Sequence, residues 1–400
     1  MNIFGFLTFN NLNRNLKVLF CGRIIGNIIY FSFIPFLVFY LDSFSLSIKQ
    51  ISSFLIYRSI LFILGLIIGS IIGELVNKKT FVFISLFIIS LLYLLLSFNF
   101  EYYIFSYSIL TISFISGLIY SSENIILVNN TNKDNRPEVF SVINIITNIT
   151  AFISPLLATK IFLKNTSFAF IFMGILNLCY SLLFLSINNS DIDKNLDNSS
   201  FRNEINSYFS LFKNFIFISL FLTFTLSSIG YCFLTSSLPL FLKLYYSDAK
   251  NIFTIVIMIN TTISIFFQLP LSKLIKKIGN VKSFIISQII IILFFIIITG
   301  IDNIYILYTS IFILSFGEIF KSISENLLIV DNFKPEYIGK CMSFYKIINL
   351  FAITISTSFF THYLVKNSIS SCFLKFSFIS FISLVFFYFF NKYEKSKFIK

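Results

Sequence analysis

The sequence has little charge and almost none of the residues that usually build metal or catalytic sites. Only 12% of its 400 residues are charged, and it contains one histidine and no tryptophan. A soluble protein needs roughly a quarter of its residues charged to cover its surface, so a water-soluble fold is excluded. The single histidine, His362, cannot build a histidine zinc site or a histidine-based triad.

The sequence also lacks the patterns of other chemical sites. Its five cysteines form no CxxC pair and lie scattered in apolar segments, which favours reduced, inert side chains: Cys21, Cys179, Cys232, Cys341 and Cys372. No Walker-type phosphate loop is present, which argues against direct use of ATP. No compact cluster of His, Asp, Glu or Ser side chains of the kind that an enzyme needs is present. We therefore expect neither an enzyme nor a cofactor or metal.

The sequence is rich in hydrophobic residues, which form long apolar runs. Hydrophobic residues make up 57% of the chain and the mean hydropathy is +0.89. The net charge of +13 could suggest nucleic acid, but the basic residues sit in short clusters between long apolar runs. Such clusters are typical of membrane topology. The expected partner is a lipid bilayer and not nucleic acid.

The apolar runs predict about twelve membrane-spanning helices, since a span needs about twenty apolar residues. The predicted spans are 17–41, 51–75, 80–98, 102–128, 139–162, 168–187, 214–242, 251–272, 281–300, 303–329, 337–364 and 370–391. They divide the chain into a six-helix bundle over 1–187, a polar linker over 188–213 and a second bundle over 214–400. Loop Lys and Arg residues are concentrated on the side of the two termini and the linker, which predicts that this side is cytoplasmic.

The two halves of the chain resemble each other at a displacement of about 202 residues. Four pairs of segments match in the same order: Ser32-x-x-Pro35 with Ser236-x-x-Pro239, 70–79 with 272–281, 122–130 with 324–332, and Pro137-Glu138 with Pro335-Glu336. Two such halves predict a pseudo-twofold axis along the membrane normal and a central site exposed alternately to each side. This architecture is typical of transporters.

The segment after the second span carries a motif of its own. It reads Ser70-Ile-Ile-Gly-Glu74-Leu-Val-Asn-Lys78-Lys79 and resembles the G-x-L-a-D-R-x-G-R-K loop of the major facilitator superfamily. Glu74 takes the acid position, and Lys78 and Lys79 take the basic pair. The second copy, 272–279, keeps Lys277 and Gly279 but has Lys276 in place of the acid.

Two further motifs are similar to those of the drug:proton antiporter branch. Span 5 reads Thr150-x-x-x-Ser154-Pro155-x-x-Ala158-Thr159, similar to G-x-x-x-G-P-x-x-G-G, and span 10 contains Gly317-Glu318-Ile319. The resemblance covers the whole chain. It implies an all-α membrane fold with twelve helices in two pseudo-symmetric six-helix bundles around a central cavity, and proton-coupled export of organic compounds.

The loop motifs have a physical role apart from the resemblance. A carboxylate at the end of span 2, followed by Lys78 and Lys79, can tie neighbouring helices in one conformation and release them in another. Plain anchoring of the basic pair at the cytoplasmic surface explains the same residues. In span 5, Pro155 lacks an N–H donor and is expected to bend the helix.

Ionisable residues inside spans are costly and usually functional. Arg23 in span 1 and Glu123 in span 4 both lie ~10 Å from the cytoplasmic ends of their spans at ~1.5 Å per residue, so we expect an ion pair, with snorkelling of Arg23 as the alternative. Arg58 in span 2 lies nearer the outer side of its predicted span. It is expected either to snorkel outward or to resemble an arginine of some multidrug members.

Span 10 carries the densest group of charges. Glu318, Lys321 and Glu325 are spaced i, i+3 and i+7 and share one helix face. We expect this face to point to the cavity or to span 11, where Lys346 lies at a depth like that of Lys321. Glu318, nearest the middle of the membrane, is the leading candidate for proton coupling or substrate binding. A static ion-pair lock between spans 10 and 11 is the alternative.

The sequence therefore leaves several functions open. It favours a monomeric, proton-coupled exporter of amphipathic organic compounds in the plasma membrane, in a bacterium the inner membrane. A narrow-specificity importer or uniporter of a small metabolite remains possible in the same fold, as does a non-transporting membrane protein. Few paired charges within the spans would have favoured the importer.

Overall fold

The computed structural model is helical throughout the part of the chain that it describes. That part comprises residues 13–98, 101–131, 136–187, 211–300, 303–333, 335–366 and 369–398. Residues 188–210 of the predicted linker lie outside it.

The chain divides into two compact units, Met1–Asp197 and Asn198–Lys400. The helices of the first unit are α1 (Arg14–Phe33), α2 (Leu37–Asp42), α3 (Ile48–Leu75), α4 (Lys78–Phe98), α5 (Tyr102–Asn129), α6 (Arg136–Leu157) and α7 (Thr166–Phe184). Those of the second unit are α8 (Phe215–Tyr231), α9 (Phe233–Ser236), α10 (Leu238–Tyr245), α11 (Ala249–Ile278), α12 (Asn280–Ile298), α13 (Ile304–Asn332), α14 (Pro335–Lys366) and α15 (Ile369–Phe398).

The described residues contain 11 helices that are long and apolar enough to span a membrane. The seventh predicted span, 214–242, differs from a single helix because it is divided into α8, α9 and α10. Of these, α8 has 17 residues, or about 25 Å at ~1.5 Å per residue, slightly less than the ~30 Å hydrocarbon core.

The first and seventh spans break at their matching Ser-x-x-Pro motifs. Pro35 lies in the turn between α1 and α2, and Pro239 lies in the first turn of α10. Proline has no N–H donor and is accommodated best in the first turn of a helix. The repeated motif therefore marks a repeated interruption of the helix, which the hydropathy of the two segments conceals.

The fifth span is irregular after Pro155. Helix α6 ends at Leu157 and continues as a π-helical turn, Ala158–Phe162. The Ser154 hydroxyl donates to the Thr150 carbonyl at 2.6 Å, and the Thr159 hydroxyl donates to the Pro155 carbonyl at 3.0 Å. The wide turn lies directly after the residue at which the sequence predicts a bend, and π-turns are often found at functional sites.

Aromatic rings fill the core of each unit. In the first unit, Phe33, Tyr40, Tyr93 and Phe170 pack with ring centroids 5.0–6.4 Å apart. In the second unit, Phe233 is surrounded by several rings, among them Phe376 at 5.4 Å. Offset and edge-to-face pairs of this kind add to the burial of apolar area.

Helices α3 and α5 approach each other closely through glycine. A Cβ atom on Gly65 would lie 2.1 Å from the Phe114 carbonyl oxygen, and one on Gly117 would lie 2.3 Å from the Phe62 carbonyl oxygen. Small residues permit such backbone contact between membrane helices.

Replacing Gly65 with alanine is expected to destabilise the protein by about 1–3 kcal/mol, because the new methyl group must push two backbones apart. The matched control is Gly26→Ala in α1, where an added Cβ meets nothing within 4 Å. Thermal unfolding of the two variants in the same detergent measures the difference. Equal melting temperatures would contradict the close approach of α3 and α5.

Candidate functional site

The charged face of α13 contacts three other helices of the second unit, α8, α11 and α14. Glu318 is at the midpoint of the candidate span Ile304–Asn332 and is half-buried. Lys321 is 3% exposed and Glu325 is fully buried. Ions at this depth require partners within the protein, and each of the three has them.

The Glu318 carboxylate is held by neutral donors. The Tyr231 hydroxyl of α8 donates to its Oε1 atom, and the Asn260 side chain of α11 donates to Oε2 at 2.7 Å. Asn260 also donates to the Ser315 hydroxyl at 3.2 Å. Among the described residues no basic side chain forms a salt bridge with Glu318. This carboxylate therefore joins three helices without a counter-charge in direct contact.

The Glu325 carboxylate, in contrast, is paired with a cation. Lys321 Nζ lies 2.7 Å from Glu325 Oε2, and the Tyr345 hydroxyl of α14 donates to the same oxygen. Lys321 also donates to the Ser228 hydroxyl at 3.0 Å, and Ser228 donates in turn to Asn349 Oδ1 at 2.6 Å. The pair thus links α8, α13 and α14.

Two tyrosines connect the two carboxylates through Lys321. The ammonium lies 5.7 Å from the centre of the Tyr231 ring and 5.9 Å from the centre of the Tyr345 ring. Each of these tyrosines donates its hydroxyl to one of the flanking carboxylates. A change in the charge of either carboxylate therefore alters the electrostatic environment of Lys321 through contacts of a few ångströms.

Span 11 meets this face through residues other than the one expected. Lys346 is exposed, and the contacts described for the network come from its neighbour Tyr345 and from Asn349. Adjacent residues point about 100° apart on a helix of 3.6 residues per turn. The role expected of Lys346, at a depth like that of Lys321, stays a prediction.

A second ion pair lies in the first unit. Arg23 Nη2 is 3.8 Å from Glu123 Oε2 and donates to Asn124 Oδ1 at 2.8 Å. The Tyr180 hydroxyl donates to Glu123 Oε1 at 2.5 Å. A Cβ on Gly22 would lie 2.0 Å from the Tyr180 ring, so glycine at this position makes room for the tyrosine.

The repeat places Glu123 and Glu325 at equivalent positions, 202 residues apart. Both carboxylates accept a tyrosine hydroxyl and lie beside a cation. The cation of Glu123 comes from another helix, whereas that of Glu325 comes from the preceding turn of its own helix. Glu318 and Lys321 correspond to Ser116 and Ile119, so the charge network of α13 is confined to the second half.

Arg58 lies on α3 (Ile48–Leu75), about 15 Å from the Ile48 end at ~1.5 Å per residue and nearer to that end than to Leu75. It is half-buried, and its Nε atom is buried with no hydrogen-bond partner. Tyr30 and Tyr93 are the titratable groups that face it. Within the described part of the chain, no carboxylate pairs with it.

The residues of the two loop motifs differ in burial. The side chain of Glu74 lies outside the described residues. Lys78 begins α4 and is buried, and Lys79 follows it and is half-buried. In the second copy Lys276 and Lys277 are exposed at the end of α11.

The second loop makes a contact that sequence reasoning missed. Gly279 joins α11 to α12 at a φ of 90°, which favours glycine. The following residue, Asn280, donates to Asp331 Oδ2 at the end of α13, at a distance of 2.5 Å. The motif has no acid of its own in this copy, and Asp331 supplies one from another helix. The aligned segments 122–130 and 324–332 contain this aspartate opposite Asn129, which is the signal that could have found it.

The other residues missed from the sequence are neutral. They are Tyr180, Tyr231, Asn260 and Tyr345, together with Ser228 and Asn349. Asn260 and Asn349 carry a usable signal, because amides within apolar spans usually bind neighbouring helices. The tyrosines do not stand out in a chain with 20 Tyr and 57 Phe.

Comparisons with known proteins agree with this architecture. A transporter of the POT family in complex with a thioalcohol-conjugated peptide has a TM-score of 0.78 at 16% sequence identity, covering 96% of each chain. The nucleoside transporter NupG has a TM-score of 0.76 at 15% identity, covering 95% of this chain and 100% of its own. At these sequence identities, the structural similarity shows the fold alone.

The sequence comparison is more direct. No curated protein sequence matches the chain significantly. Residues 19–357 and 247–400 match the sequence profile of the Major Facilitator Superfamily, which spans most of the chain. The chain therefore belongs to the major facilitator superfamily and is a multi-pass membrane protein of a family of transporters.

Proposed function

We propose that this protein is a proton-coupled secondary transporter that moves a small organic molecule by alternating access. One observation carries the proposal: Glu318 lies at the middle of its span, bound by Tyr231 and Asn260 instead of a cation. A carboxylate in such a place can take up and release a proton without breaking an ion pair.

Protonation of Glu318 changes what holds the helices together. As a carboxylate it only accepts, and it accepts from α8 and α11 at once. As a carboxylic acid it becomes a donor at one oxygen and a weaker acceptor at the other. The hydrogen bonds to Tyr231 and Asn260 are then weakened together, and α13 is freed to shift against α8 and α11. This is a local change of charge acting on a two-state element.

The Lys321–Glu325 pair serves as the fixed part of this mechanism. It is more deeply buried than Glu318 and is completed by Ser228 and Tyr345. Because Lys321 is engaged with Glu325, it does not neutralise Glu318 directly. A substrate or a helix movement that draws Lys321 toward Glu318 would expel the proton from Glu318. Proton release is thereby coupled to substrate binding or to the helix movement.

The direction of transport is proposed from the motifs. Their similarity to drug:proton antiporters supports export of amphipathic compounds through the plasma membrane by a monomer with cytoplasmic termini. Import of a small metabolite is the second candidate, since the similar structures include transporters named for peptides and nucleosides. The unpaired Arg58 also favours it, because an arginine of this kind suits a small anion.

The test of direction is efflux of ethidium from cells that express the protein, with and without a protonophore. Energy-dependent efflux that collapses with the protonophore is the expected result for an exporter. Cells carrying the empty vector are the control. Absence of efflux, together with uptake of a labelled dipeptide or uridine under an inward proton gradient, would replace export with import.

A further inference from the structure

The position of Arg58 excludes the usual explanation of a charge at a membrane surface. Tyr57, Ile60 and Leu64 are exposed on one face of α3. Arg58 lies off that face, in the row of the buried residues Ile51 and Gly65. It is about 15 Å from Ile48 at ~1.5 Å per residue. Arginines that snorkel lie near helix ends, and this one does not.

Arginine also cannot lose its charge to suit its surroundings. Its guanidinium stays protonated in proteins and offers five N–H donors. A charge at mid-span pairs with another polar group or faces a water-filled cavity, and no described carboxylate pairs with Arg58. The Nε donor is buried and unsatisfied. The half-buried guanidinium therefore has donors left for a molecule outside the described protein groups.

The internal repeat shows what the site is missing. At the displacement of 202 residues, Arg58 of α3 corresponds to Asn260 of α11, and Ser116 of α5 corresponds to Glu318 of α13. Asn260 donates to Glu318 in the second unit. In the first unit the donor has become a cation and the carboxylate has become a serine. The first unit therefore has a cation, Arg58, at the position of the donor, and an uncharged residue, Ser116, at the position of the carboxylate.

From this we infer that Arg58 binds the anionic group of the transported molecule, a carboxylate or a phosphate. The inference rests on the proposed function, because it names the class of substrate. The aromatic groups beside Arg58 supply the rest of the site. Tyr30 is 44% exposed, and Tyr93 belongs to the buried cluster with Phe33 and Phe170. The buried Tyr40 hydroxyl in the same cluster has no hydrogen-bond partner. Among these residues the exposed ring of Tyr30 suits an anion carried on a small aromatic body.

Ligand-induced stabilisation of the purified protein tests this inference. The probes are benzoate and phenyl phosphate, with benzylamine and benzyl alcohol as the cationic and neutral controls. The anions are expected to raise the melting temperature of the wild-type protein, since a ligand that binds only the folded state stabilises it. Arg58→Gln is expected to weaken their binding by about 10- to 100-fold, the loss of a hydrogen-bonded charge. Arg58→Lys should lose less.

The control variant is Lys375→Gln in the second unit, a cation that lies 3.5 Å from the centre of the Tyr363 ring. It should bind the anions as the wild type does. The anion that binds more tightly, benzoate or phenyl phosphate, shows whether the substrate carries a carboxylate or a phosphate. Equal stabilisation of wild type and Arg58→Gln, or no stabilisation of the wild type by either anion, would overturn the inference.

A second measurement needs no variant. Phenylglyoxal labels arginine, and peptide mass spectrometry locates the label. Arg58 should be labelled in the free protein and protected by the anion that binds, whereas labelling of Arg23, paired with Glu123, should not change with the anion. Labelling of Arg58 that is unaffected by either anion would contradict the site. Both assays work without a gradient, so anion binding without proton-driven transport would refute the proposed function and leave this inference standing.

Discussion

Proton-driven transport is expected to be abolished when Glu318 is replaced by glutamine. Glutamine has the shape of the carboxylate: its one amide oxygen can accept from Asn260, and its amide nitrogen can donate to the Tyr231 hydroxyl. It cannot bind and release a proton. Accumulation of a labelled substrate under an imposed pH gradient should fall to the level of vesicles without protein, because the charge change proposed to move α13 cannot take place.

Two controls keep this result specific. Asp248→Asn changes a carboxylate that accepts from Asn251 at 2.7 Å outside the spans and should transport normally. Exchange of labelled for unlabelled substrate, which needs no gradient, should persist in Glu318→Gln and prove that the protein is inserted and folded. If Glu318→Gln accumulates substrate as the wild type does, Glu318 is not the coupling group.

The second large effect is on stability. Replacing Lys321 with methionine leaves the fully buried Glu325 without its cation. Removing one partner of a buried pair costs about 3–5 kcal/mol, whereas replacing both is often nearly neutral. We therefore expect Lys321→Met to be strongly destabilised and the double variant Lys321→Met/Glu325→Gln to recover most of the loss.

Thermal unfolding in detergent, with both single variants, completes the double-mutant cycle. The matched control is Lys375→Met, which removes a lysine from the face of Tyr363 and should cost only about 1 kcal/mol. If the double variant is no more stable than Lys321→Met, the two side chains do not act as a pair.

The membrane spans could be predicted from the sequence because hydropathy reports the length of an apolar run directly. The interruptions at Pro35 and Pro239 do not follow from hydropathy, although the sequence repeats the motif that contains them. A proline removes one hydrogen bond without changing hydropathy, so the apolar run continues across the break. Hydropathy thus describes what crosses the bilayer and not whether the helix is continuous.

The charged residues of the site could also be selected from the sequence, since charges within spans are rare. Their partners could not be selected in the same way. Tyr345 contacts Glu325 and its neighbour Lys346 is exposed, a distinction set by the rotation of α14 against α13. That rotation depends on side-chain packing, which charge and hydropathy do not encode. The sequence marks Arg58 as a charge within a span. Only the structure shows that no described carboxylate pairs with it.

Coupling of transport to protons through Glu318 can be measured directly. The most direct test uses proteoliposomes that contain a pH-sensitive dye, with no gradient imposed, to which a labelled dipeptide, uridine, benzoate or ethidium is added. Entry of the label accompanied by a change of lumenal pH, absent in Glu318→Gln vesicles, is the predicted result. Entry of the label at constant lumenal pH would show passive transport and contradict the claim.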